Sequence, residues 1–217
     1  MLGVIDANPA HADSGLLDDP RILGVRFTLP RVDLNAFERR RREDAAGWSR
    51  LFDALAHRKR HVLLYAVDPR VCRAAMRWIP AEIPLGLDHM GLFDASSDAA
   101  LRAFETTLDA AVERGNVYFK GPGYRAATDP MRVAPAVRRV MEKAGPDRLL
   151  LGATDAPNVG TESTSGVPFR EWFADVPSVM RYTQQLAEAA CQEPISGVRV
   201  EPGHLLQENA LNLYADV

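Results

Sequence analysis

Short apolar runs that alternate with longer amphipathic stretches constrain this chain more than any other feature. "LGVID", "ILGVRFTL", "HVLLYAV", "IPLGLDHMG", "NVYFKGPG" and "RLLLGATD" are each a strand's length of near-continuous apolar residues. Between them lie a charged helical stretch from about Leu34 to Lys59 and a helix from about Pro69 through Trp78. "SSDAALRAFETTLDAAVERG" follows, with Ser and Asp at its start and Gly at its end, as helix caps prefer. "DPMRVAPAVRRVMEKAG" comes next, and a last helix is expected over about Val179–Cys191. Uniformly apolar strands are buried on both faces, which is the habit of parallel sheets covered by helices. Repeated strand–helix units therefore predict an α/β fold, either an open doubly wound sheet or a closed (β/α)8 barrel. A dinucleotide-binding sheet would carry a Gly-rich turn after its first strand. "LGVIDANPA" has no such turn, and "GPGYRAA" lacks the G-x-G-x-x-G spacing.

A length of 217 residues suits one sizeable core, so a single domain over residues 1–217 is expected. A net charge of −3 gives no electrostatic ground for a nucleic acid or an anionic membrane surface as partner. "ERRRREDAAGWSR" carries its own acids and reads as a solvated helix face. Cys72 and Cys191 are far apart and in no C-x-x-C pattern, which fits two reduced thiols in the cytoplasm. The N-terminus lacks the basic-then-apolar order of a signal peptide, and no apolar run approaches the roughly 20 residues that span a bilayer.

Polar residues cluster where the apolar runs stop: Asp6, Arg26, Asp88 with His89, Lys120 and Asp155. In a barrel such strand ends meet at one mouth, where active sites sit. Taken singly, each is a local cap or an ion-pair partner. Arg26 interrupts an apolar strand, and an unpaired charge there would be costly to bury. It needs an internal acid, with Asp6 on the neighbouring strand as the expected partner, or an anionic ligand. Asp155 can accept a proton from water or cap the turn that follows it. His89 can donate a hydrogen bond or move a proton near neutral pH. Arg125 and Tyr124, on what reads as a flexible loop, and Lys120 are candidates to bind a carboxylate.

"GVRFTL", "PLGLDHMG", "NVYFKGPGYR", "DRLLLGATDAPN" and the tail "LLQENALNLY" together resemble the amidohydrolase superfamily, in particular its 2-pyrone-4,6-dicarboxylate lactonase branch. The resemblance runs from about Gly24 to Tyr214 and implies a (β/α)8 barrel. It implies a hydrolase of a lactone or related ester of a small carboxylic acid. Asp155 then activates water, His89 orients or polarises the carbonyl, and Arg26, Arg125, Tyr124 and Lys120 contact the substrate. Two alternatives stand beside it: a non-catalytic or truncated member that binds a small organic acid, and a metal-dependent decarboxylase.

The sequence departs from that family in two ways. It contains no His-x-His, and Asn158 stands where relatives commonly have histidine. His89 and Asp155 supply two of the three protein ligands that a hydrolytic zinc site takes, so no cofactor is expected. His57 and His61, four apart in "HRKRH", would suit a metal only on one helical face. "LGVID" matches the family's second strand, so the barrel is expected to lack its first strand–helix unit. The exposed edges would then be met by a substitute strand from Ser196–Pro202, by a homodimer, or by an open barrel.

Overall fold

The computed structural model describes residues 3–29, 32–121, 123–152 and 176–209. Its strands are β1 (Gly3–Asp6), β2 (Ile22–Leu29), β3 (His61–Ala66), β4 (Leu85–Asp88), β5 (Val117–Lys120) and β6 (Leu149–Leu150). They follow one another in chain order, and β1–β2, β2–β3, β3–β4 and β5–β6 pair in parallel. The helices are α1 (Leu34–Glu43), α2 (Ala45–His57), α3 (Pro69–Trp78), α4 (Asp98–Arg114), α5 (Pro130–Ala144) and α6 (Val176–Ala190). Parallel strands in sequential order, joined through helices, are the topology of a (β/α) barrel, here with six strands among the described residues. The chain forms two compact units, one of Met1–Gly91, Glu105–Tyr118 and Val217, the other of Leu92–Phe104 and Phe119–Asp216.

In the first unit the register fixes which side chains share a face. Phe27 packs against Trp48, Phe52 and Trp78, with ring centroids 5.3, 6.4 and 5.7 Å away, and Trp78 also meets Phe37 at 5.6 Å. The odd residues of β2 therefore point toward α1–α3, and alternation sends Arg26 and Thr28 to the opposite face. Every residue of β3 is buried, as strands covered on both sides require.

The charged stretch expected as one helix from Leu34 to Lys59 is two helices. Asp44 breaks it with φ −140° and ψ 59°, and its carboxylate accepts from the Gly47 N–H at 2.9 Å. An aspartate that caps satisfies a backbone donor that would otherwise be orphaned. Gly47 is what the cap needs, because a Cβ there would collide with the Asp44 carboxylate. Asp33, Asp68 and Asp129 cap α1, α3 and α5 in the same way.

In the second unit α5 packs on α6, and Val133, Val137 and Val140 of the one and Val179, Tyr182 and Leu186 of the other are all buried. The expected substitute strand at Ser196–Pro202 is absent. Ile195 and Val198 instead exchange backbone hydrogen bonds at 2.8 and 2.9 Å across Ser196 (φ 49°) and Gly197 (φ 81°). Two positive φ values in a two-residue loop make a tight reversal of the hairpin kind, which ends pairing after one bridge.

Candidate functional site

The ends of β1–β4 bring together the polar residues of the first unit. Asp6 lies level with Arg26 in the register, and Leu63 links Arg26 to Gly86, two residues before Asp88. Arg26 does not take Asp6 as its partner. Its guanidinium passes over the Tyr65 ring, 5.3 Å from the centroid, and reaches Asp88. Nε donates to Asp88 Oδ2 at 2.9 Å, and Nη2 lies 2.7 Å from the same oxygen as an ion pair. The choice follows from burial. Asp6 is exposed and can rely on water, whereas the Asp88 side chain is only 3% exposed and must be compensated. A Cβ at Gly86, which neighbours Leu63 in the register, would stand 2.6 Å from Leu63 Cδ2.

His89 follows directly and is 1% exposed. The Tyr65 ring lies 5.9 Å from its imidazole at an interplanar angle of 64°. His89, Met90 and Gly91 have φ of 52°, 60° and 72°. Each left-handed residue other than glycine costs about 1–3 kcal/mol, and such strain concentrates at functional sites. The turn holds a buried imidazole beside the Tyr65 ring.

A pocket of about 180 Å³ opens beside this cluster, bounded by Asp6, Ala7, Arg26, Thr28 and, from α1, Arg40. Arg40 also lies 5.9 Å over Trp48. In the sequence it belongs to a basic run that reads as a solvated face. Tyr65 and the role of Asp88 as Arg26's partner were likewise not legible, because each depends on register.

In the second unit Lys120 ends β5 and is half-buried, as is Arg125. The loop expected to be flexible is pinned. Ala126 N–H donates to Gly123 O at 2.9 Å, and the Tyr182 hydroxyl donates to Ala127 O at 2.8 Å. Tyr124 is 1% exposed, with its ring 6.1 Å from Tyr182 and nearly perpendicular to it. Its buried ring meets that of Tyr182. Burial raises the Tyr182 hydroxyl well above the usual phenol range, with Asp129 adding to the effect. Asp155 and Asn158 lie outside the described residues.

Among the described residues no three His, Cys, Asp or Glu side chains gather as ligands. His57 closes α2 while His61 opens β3, so their four-residue spacing is not helical.

The model of the amidohydrolase family, Amidohydro_2, matches residues 4–193. The chain belongs to the amidohydrolase family. Comparison with curated proteins finds no match. Among solved structures, an amidohydrolase from Burkholderia multivorans with bound zinc is 18% identical, with a TM-score of 0.68 over 99% of this chain and 73% of its own. A probable 2-pyrone-4,6-dicarboxylic acid hydrolase from Acinetobacter baumannii with citric acid bound is 16% identical, with a TM-score of 0.65 over 99% of this chain and 72% of its own. At these identities the likeness is one of fold. It agrees with an incomplete (β/α)8 barrel. No helix among the described residues is long and apolar enough to cross a membrane.

Proposed function

We propose that this amidohydrolase cleaves a lactone or related ester of a small carboxylic acid. The observation that carries the reading is the Arg26–Asp88–His89 cluster at the strand ends of a family member. A guanidinium fixed by a buried carboxylate and stacked on Tyr65 is preorganised to grip a substrate carboxylate. Its 34% side-chain exposure leaves part of the fork accessible. A neighbour crystallised with citrate bound supports an anionic, carboxylate-bearing substrate.

In this mechanism Asp155 takes a proton from water as its oxygen attacks the acyl carbon. His89 donates a hydrogen bond to the carbonyl oxygen, where negative charge develops. The tetrahedral adduct then collapses, the ester C–O bond breaks, and Asp155 returns its proton to the leaving oxygen. Arg125 and Lys120 add positive charge for a second carboxylate, and Tyr124 stands next to Arg125 on the loop after β5. No step passes through a metal, and the partner is a small molecule.

The test is a panel of carboxylated lactones assayed by acid release, with and without added zinc or manganese. Asp155→Asn is expected to lower turnover by at least about 1,000-fold with the fold retained. Equal rates would remove Asp155 from the mechanism.

A further inference from the structure

We infer that the first unit carries a second anion site, on the helical layer away from the strand ends that hold His89. The C-terminal half of α3, the segment leading into β4 and the last turns of α4 enclose a pocket of about 360 Å³. Met76 and Ile79 line it with apolar surface, while Arg73, Arg77 and Arg114 share it with one acid, Glu113. The segment before β4 forms one wall, and Asp88 and His89 stand at the other end of that strand.

Three guanidiniums and one carboxylate leave an uncompensated positive charge. Among the described residues none of these arginines makes an ion pair. Arg73 Nη1 donates to Thr107 Oγ1 at 3.3 Å. Arg114 Nε donates to Met76 O at 3.2 Å, and its Nη2 donates to Pro80 O and Ile83 O at 2.8 and 3.0 Å. These carbonyls anchor the Arg114 plane, but dipoles do not cancel a full charge. Burial pulls the guanidinium below its ordinary value, and Glu82 offsets this only in part. Arg77 is exposed and makes no hydrogen bond among the described residues.

An occupant must therefore be anionic at one end and apolar at the other. The volume falls within the range of small-molecule sites. The class that fits is a small organic anion, with a carboxylate or phosphate head on a ring-sized apolar body. The head would meet Arg73 and Arg77 and the body would lie along Met76 and Ile79.

Phenyl phosphate is the probe, titrated into the full chain by calorimetry and followed by arginine side-chain NMR. We expect binding tighter than about 1 mM, weakened about tenfold by Arg77→Gln and again by adding Arg73→Gln, since each removes a charge-assisted contact. Arg26→Gln is expected to leave this binding unchanged, which separates it from the site at the strand ends. Benzyl alcohol should not bind at the same concentrations. Absence of binding to about 10 mM, binding indifferent to the Arg73 and Arg77 substitutions, or equal binding of benzyl alcohol would each overturn the proposal. In that event the three arginines only complement the C-terminal end of α3.

Discussion

Asp88→Asn isolates the pair on which the proposed substrate grip rests. The substitution keeps the side chain's shape and removes its charge, which strands the Arg26 guanidinium. A charge-assisted hydrogen bond at 2.9 Å and an ion-pair contact at 2.7 Å lose their ionised acceptor. Breaking a fully buried pair costs about 3–5 kcal/mol. Arg26 retains 34% exposure, so water takes over part of the lost interaction. We therefore expect a loss of about 2–3 kcal/mol, which for a chain of this length corresponds to a fall of roughly 4–12 °C in Tm. Equilibrium unfolding in urea, followed by tryptophan fluorescence, should show a lower midpoint with an unchanged slope. Asp6→Asn is the control, because Asp6 lies level with Arg26 yet is exposed, and it should move the midpoint little. The double substitution Arg26→Gln with Asp88→Asn should cost about 1–2 kcal/mol less than the sum of the two singles. Strict additivity, or an Asp6 variant as damaging as the Asp88 variant, would refute the pairing. With an active substrate, Asp88→Asn should raise KM more than it lowers kcat, as loss of a positioned anion contact requires.

Phe27→Ala removes the ring shared by Trp48, Phe52 and Trp78 and should destabilise the chain by about 3–5 kcal/mol in the same urea assay. Burial pushes the Cys72 thiol up to about 12, so in a Cys191→Ser variant a disulfide reagent at pH 8 should label nothing until urea unfolds the chain. Rapid labelling of the native variant would contradict the packing of α3. Tyr182 is held protonated in the fold, whereas the unfolded phenol titrates near about 10. Its share of stability is full below that pH and declines as pH rises above it. Tyr182→Phe should therefore flatten the loss of urea resistance between pH 9 and 11, and an unchanged slope would remove Tyr182 as its source.

Strands were legible because burial on both faces is written locally. The runs at Ile22–Leu29 and His61–Ala66 are strands over nearly the residues the apolar pattern marks. The break at Asp44 was written less plainly. The charged stretch has good helix formers on both sides, and its one signal is a capping acid followed three residues later by a glycine that can tolerate it. At His89 the chain gives still less away. Of three successive left-handed residues only Gly91 is of the type that advertises such a turn, so the strain on His89 and Met90 appears only in three dimensions.

The mistaken partner of Arg26 shows what kind of information is missing. Along the chain Asp6 and Asp88 are equivalent, each an acid that ends an apolar run, and adjacency favours Asp6. Adjacency does not decide, because an exposed carboxylate gains little from a cation and a buried one cannot do without it. Asp88 lies two strands away from Arg26, yet the cation spans the Tyr65 ring to reach it. A buried acid beside a histidine at a strand end is thus better matched by asking which cation can reach it than which cation is nearest in the register. Asked of burial and reach in the folded chain, that question links Arg26 to Asp88 and leaves Asp6 to the solvent.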